Sequence, residues 1–150
     1  MKTFDTDSIR NVALIGHSGE GKTSLAEAIM YEAKTISRLG KVDDGSSTMD
    51  YDDEEIKRKI SISLALGYAV YRDVKINILD VPGFFDFEGE MQSALQAADS
   101  AVVVTSASGS VTVGTEKSLD LCREKKIPTF IFVNAVDKDN SDFTGTQSVP

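Results

Sequence analysis

Three observations predict a three-layer α/β fold, in which a mostly parallel sheet is covered by helices on both faces. Apolar strand-like runs alternate with helix-forming runs along the chain. The first such run, Val12-Ala13-Leu14-Ile15, leads directly into Gly16-His17-Ser18-Gly19-Glu20-Gly21-Lys22-Thr23, a complete G-x-x-x-x-G-K-[ST] phosphate-binding loop. A later run, Ala101-Val102-Val103-Val104-Thr105, is apolar or β-branched throughout, as a strand buried on both faces requires.

The elements follow in order. A first strand is expected over about 11–15, and a first helix over about 22–37, opened by the helix-forming Ser24-Leu25-Ala26-Glu27-Ala28-Ile29-Met30. The stretch from Lys41 to Lys59 is polar and acidic and lacks apolar periodicity. It reads as a mobile loop or a short solvated helix, expected to gain order from a bound triphosphate. Strands over about 60–71 and 74–80 flank Arg72-Asp73, a tight hairpin and the one antiparallel pair. A second helix over about 87–98 puts Phe87, Met91, Ala94, Leu95 and Ala98 on one buried face. The fourth strand spans about 101–105. A third helix over about 114–126 ends in Arg123, Lys125 and Lys126, cations suited to a helix C-terminus. After Pro128 comes the fifth strand, Thr129 to Val133.

Length and composition describe one domain. The chain has 150 residues, 41% hydrophobic and 27% charged, ordinary values for a soluble globular protein. A formal net charge of −8 opposes non-specific nucleic-acid binding, so no DNA partner is expected. No run approaches the roughly 18 apolar residues of a membrane span. Met1-Lys2-Thr3-Phe4-Asp5 lacks the character of a signal peptide. Cys122, the single cysteine, allows no internal disulfide and reads as core packing. A cytoplasmic protein with no membrane partner is expected.

The candidate site lies at the C-terminal ends of the strands, where open α/β sheets bind ligands. Glycine-loop amides and a helix N-terminus face one anion, so His17, Ser18, Gly19, Glu20, Gly21, Lys22, Thr23 and Ser24 form the candidate phosphate cradle. Lys22 can reach β- and γ-phosphates, and the Thr23 hydroxyl can hold Mg²⁺. Asp80-Val81-Pro82-Gly83 follows the third strand. Asp80 can hold the same Mg²⁺ through a water, and the Gly83 amide can meet the γ-phosphate, although D-x-P-G also occurs as a plain turn. Asn134-Ala135-Val136-Asp137 follows the fifth strand. The Asp137 carboxylate can accept from guanine N1–H and its 2-amino group, a donor pair that adenine lacks, while the same residues also suit a helix cap or turn. Ser61, after Arg58-Lys59-Ile60, is either a second hydroxyl ligand to Mg²⁺ or a simple strand serine.

These motifs, in this order, resemble the GTPase domain of translation elongation factor G, specifically the bacterial elongation-factor-G-like branch. The matching text is Gly16 to Thr23, Asp53-Glu54-Glu55-Ile56-Lys57-Arg58-Lys59-Ile60-Ser61-Ile62, Asp80-Val81-Pro82-Gly83-Phe84-Phe85-Asp86-Phe87, and Val113-Gly114-Thr115-Glu116-Lys117. The resemblance runs from about residue 8 to about 143. It implies a P-loop GTPase fold, GTP/GDP and Mg²⁺ as cofactors, and the ribosome as partner of the intact protein. Several positions depart from the family pattern. Gly19 stands where Asp is usual, Phe84 where His is usual, and Ala135 where the base-reading box carries Lys. Arg58-Lys59-Ile60-Ser61 replaces Arg-Gly-Ile-Thr.

The final base-contacting motif would follow a sixth strand, which the sequence lacks before Pro150. Residues 1–143 therefore read as a truncated translation-factor-type GTP-binding domain, and 144–150 as a polar, disordered tail. No residue is assigned as catalytic. Phe84 has neither donor nor acceptor to orient an attacking water, Phe85 and Phe87 make its surroundings apolar, and Asp86 is the nearby group able to compensate. Very slow hydrolysis is expected. Three readings remain open: a GTP-hydrolysing switch in the intact protein, a nucleotide-binding switch module with negligible hydrolysis, and a non-functional structural fragment.

Overall fold

The strand Ile9–Ile15 (β1) lies at the centre of a five-stranded sheet because its side chains are wanted on both faces. Ala13 and Ile15 point into one apolar cluster and Leu14 into the other, the two-residue alternation of a fully covered strand. A computed structural model describes residues 3–84, 88–107, 111–139 and 141. After a short 3-10 turn, Thr6–Ser8, the elements are β1, α1 (Lys22–Glu32), α2 (Asp53–Arg58), β2 (Ala65–Tyr71), β3 (Val74–Asp80), α3 (Glu88–Ala97), β4 (Ser100–Ser106), α4 (Val113–Lys125) and β5 (Thr129–Asn134). Strand order is β2-β3-β1-β4-β5. All neighbours are parallel except β2 and β3. Among the described residues the sheet has these five strands, as the sequence predicts.

Helices complete three layers. One face of the sheet packs Leu79, Val103 and Ile15 against Ala94 and Leu95 of α3 and Leu119 and Cys122 of α4. The other packs Leu14 and Ile78 against Ala26 and Met30 of α1. The buried face expected on the second helix is present at Ala94 and Leu95, whereas Phe87 lies outside the described residues. So do Phe85, Asp86, Phe143 and the tail 144–150.

Boundaries differ from the sequence reading by more than two residues at two places, each for a visible reason. The first helix stops at Glu32, well before 37. Lys34 turns left-handed at φ 58, and the Thr35 amide bonds back to Met30 O at 2.9 Å, which closes the last turn. The second strand starts at Ala65, five residues later than about 60. Glu55 takes the Ile62 and Ser63 amides at 2.8 and 3.0 Å, and Glu90 takes the Leu64 amide at 3.0 Å. Those amides are thereby diverted, and the β2–β3 ladder begins at Ala65 opposite Asp80. The hairpin itself falls at Arg72-Asp73, with φ of 45 and 67, the left-handed pair that suits strand twist.

The acidic stretch is partly the short helix that was one of its two expected forms. Asp52 caps α2, accepting from the Glu54 amide at 2.8 Å, while Glu55 reaches back to the Asp52 amide at 3.2 Å. Ahead of it the segment has an apolar anchor, Met49, buried in the α1 cluster, and a polar one, the fully buried Glu27 carboxylate. The α1 residues that Met49 packs on and the Glu27 carboxylate both lie outside the stretch, so nothing within it announces these contacts.

Ile78 is 1% exposed and Phe130 on β5 is 68% exposed. Ile78→Ala is expected to cost about 2–5 kcal/mol in urea unfolding, against about 0.5 kcal/mol for Phe130→Ala.

Candidate functional site

The phosphate loop closes over the ends of β1 and β4 and delivers Lys22 to the first turn of α1. Gly21 caps that helix at φ 93, and a Cβ there would strike the Asn134 side chain. Lys22 is 6% exposed, its Nζ donating to His17 O at 2.8 Å. Burial brings its ammonium down to about 8, with Asp80 and Glu20 opposing. Gly83 packs so closely on this loop that a Cβ would collide with the Lys22 ammonium and the Ser18 amide. The D-x-P-G turn therefore touches the phosphate cradle directly.

Beside Lys22 lies a part-buried oxygen cluster. Thr23 Oγ1 and Ser61 Oγ are 3.1 Å apart, and Ser61 donates to Asp50 Oδ1 at 2.8 Å. Ser61 precedes β2, so it is not a strand residue. Asp80, at the end of β3, is 1% exposed, and neither of its oxygens makes a hydrogen bond of ordinary geometry; Asp50 Oδ2 also has no partner. Burial pushes the Asp80 carboxyl up to about 7, the Thr23 hydroxyl and Lys22 only partly offsetting it, and Asp50 and Glu55 adding to the rise. Burial raises Asp50 as well, against its Ser61 hydrogen bond.

Unpaired carboxylate oxygens next to two hydroxyls form an all-oxygen donor set, which fits a hard divalent cation such as Mg²⁺. Among the described residues, no three His, Cys, Asp or Glu side chains gather to hold a metal unaided. Two hydroxyls and the oxygens of a bound phosphate would complete the set, which is how Mg²⁺ is usually held.

A cleft of about 680 Å³ runs from this cluster to the end of β5. It brings together Ser18, Gly19, Glu20, Gly21, Lys22, Thr23, Ser24, Ser61, Gly83, Asn134 and Asp137. Two sequence-predicted residues are not on its wall. Asp80 lies buried beneath it, and the His17 side chain turns away toward Gly114 of α4, leaving only its carbonyl to hold Lys22. Asn134 ties the two ends of the cleft, its Nδ2 donating to Glu20 O at 2.9 Å. Ala135 takes a left-handed φ of 56 between Asn134 and Asp137. Phe84 is 39% exposed on the far side of the Gly83 turn, where a smaller cleft of about 270 Å³ is lined by Pro82, Met91 and Leu121. Sequence reasoning missed Asp50 and Glu27. Asp50 is one acid among many in its stretch, and only the fold singles it out.

The elongation factor Tu GTP-binding domain profile matches residues 7–148. The chain belongs to that family. It is 36% identical over 135 residues to an elongation factor G-like protein of Mycobacterium tuberculosis, covering 90% of this chain and 19% of the relative. It is 36% identical over 137 residues to elongation factor G 1 of Treponema denticola, covering 91% of this chain and 20% of the relative. A crystal structure from Thermus thermophilus superposes with a TM-score of 0.87 at 38% identity, covering 91% of this chain and 20% of that one. The chain thus spans about a fifth of the length of the relatives it matches. The fold is that of a P-loop GTPase domain, and the family is that of translation GTPases. Among the described residues, no helix is long and apolar enough to cross a membrane.

The Asp80 environment predicts a pH dependence. A carboxyl raised in the folded state binds protons that the unfolded chain has lost, so stability falls as pH rises from about 4 toward 7. In metal-free buffer, the urea midpoint is expected to drop across that window, and Asp80→Asn is expected to flatten the drop. An unchanged slope in the variant counts against the buried, unpaired Asp80.

Proposed function

We propose that this chain is the guanine-nucleotide-binding domain of an elongation-factor-G-like translation GTPase. It binds GTP and GDP with Mg²⁺ and, in the intact cytoplasmic protein, hydrolyses GTP on the ribosome. The observation that carries the reading is the part-buried Thr23–Ser61–Asp50 chain beside unpaired Asp80, opening on a cleft that ends at Asp137. That arrangement supplies one place for a metal-bound phosphate and another for a base.

Each residue has a part in that reading. Lys22 exchanges its bond to His17 O for phosphate oxygens, a trade favoured because a buried ammonium gains most from a full negative charge. Thr23 and Ser61 would offer hydroxyl oxygens to Mg²⁺, with Asp80 and Asp50 as the carboxylates beside it; the ion would supply neutralisation of phosphate charge. The Gly83 amide meets the γ-phosphate, so its turn responds to whether that group is present. Asp137 accepts from guanine, and Asn134 keeps the base-side turn in register with the phosphate loop.

Phe84 favours a second reading of the same site, a switch module with negligible hydrolysis. It stands beside Gly83, half exposed, and can neither orient nor deprotonate water.

Calorimetry is expected to show GDP and GTP binding and weaker or absent ADP binding, since a site built on hydrogen bonds rejects an unmatched base. Equal ADP binding would overturn the guanine assignment. Lys22→Ala is expected to weaken GTP binding about 10- to 100-fold, roughly 1.4–2.8 kcal/mol. Thr23→Ala should act mainly when Mg²⁺ is present. Single-turnover hydrolysis by the parent is expected to be very slow and to quicken in Phe84→His. Fast hydrolysis unchanged by that substitution would exclude the second reading.

A further inference from the structure

Glu27 is a fully buried carboxylate with no part in the site described so far. It sits on α1 one helical turn after Thr23, so the two share a face of the helix. Five donors converge on it. Gly40 N reaches Oε2 at 3.1 Å; Ser47 Oγ and Met49 N reach Oε1 at 3.0 and 3.3 Å; Thr48 gives Oε1 both its amide and, at 2.6 Å, its hydroxyl. Burial pushes this carboxyl up, but the bonds from Thr48, Ser47 and Gly40 outweigh it and hold it below the usual carboxylate range.

The pinned residues lead straight to the metal side of the cleft. Ser47 Oγ also accepts from the Asp50 amide at 3.4 Å, and Asp50 Oδ1 takes the Ser61 hydroxyl that meets Thr23. The path leaves α1 at Glu27 and returns to it at Thr23. One turn of helix therefore sets where Asp50 and Ser61 stand relative to the Thr23 hydroxyl.

We propose that Glu27 is a positioning residue for the cation side of the site, holding residues 47–50 on α1 before any nucleotide arrives. This rests on the nucleotide reading above. For residues 47–50 it runs against the expectation that the acidic stretch depends on a triphosphate for its order. A carboxylate is needed there because every group facing it is a donor. Glutamine can keep its oxygen on the Oε1 donors, but it turns an NH₂ against the Gly40 amide, leaves that buried donor unpaired and removes the charge that strengthens the other four bonds.

The test compares the parent with Glu27→Gln, Ser47→Ala and Asp50→Asn, all as the 150-residue chain. Amide exchange over 46–50 without nucleotide is read first. Protection is expected in the parent and in Asp50→Asn, and is expected to fall about tenfold in Glu27→Gln. GTP affinity is then measured in EDTA and in Mg²⁺. Affinity in EDTA should stay within about threefold, while the gain that Mg²⁺ confers should shrink about tenfold in Glu27→Gln and in Asp50→Asn. Ser47→Ala, which leaves the carboxylate in place, should show the same pattern at smaller amplitude and carries the test if Glu27→Gln does not fold. A parent-like Mg²⁺ gain or parent-like protection in a folded Glu27→Gln overturns the proposal. If the parent binds GTP in neither buffer, the nucleotide reading falls and the Mg²⁺ claim with it, and the exchange comparison alone then decides whether Glu27 holds 47–50.

Discussion

Among the described residues five carboxylates are buried, and four of them, those of Glu27, Asp50, Glu55 and Asp80, are 4% exposed or less; the rest of the molecule is arranged around the cost of removing them from water. A buried charge is tolerable only when donors or opposite charges face it. Glu27 and Glu55 meet the condition with loop amides and hydroxyls, so each converts an irregular segment into a fixed one. Asp50 and Asp80 do not meet it fully, and both are pushed toward their neutral forms. The satisfied pair does structural work, and the unsatisfied pair leaves an electrostatic demand that a cation can meet.

The sheet brings these groups level. Leu14 lies opposite Asp80 and Ile15 opposite Val103, while Ser106 at the end of β4 lies opposite Asn134 on β5. Parallel register therefore sets the phosphate loop, the D-x-P-G turn and the base-side turn along a common edge. Because β1 is clamped on both sides and apolar on both faces, that edge has little freedom to shear. Cross-links such as Asn134 to the Glu20 carbonyl then operate between fixed points.

Much of this was readable from residue order alone, for identifiable reasons. The phosphate loop, the parallel strands and the hairpin turn are written in local pattern: a run of β-branched residues, a glycine spacing, two polar residues between strands. What escaped was non-local. The residue pattern carries the first helix too far because nothing in Thr35 to Ser37 marks a stop; the stop is a backbone bond to Met30. The pattern also starts the second strand five residues too early, because Glu55 and Glu90 divert the amides ahead of Ala65. Ser61 stayed ambiguous for the same reason, and Asp50 and Glu27 were invisible as a pair because 23 residues separate them.

The outer strand β5 carries a different consequence, one for handling the protein. Phe130, Ile131 and Phe132 are 68%, 49% and 40% exposed on a strand that pairs, among the described residues, only with β4. An exposed apolar edge of this kind is a template for neighbouring chains. Opposing it is the formal charge of −8, a repulsion that reaches only about 10 Å at 0.1 M salt. Colloidal behaviour of the 150-residue chain is thus set by a contest between exposed apolar edge residues and a short-range, screened acidic repulsion, and added salt tilts that contest toward association.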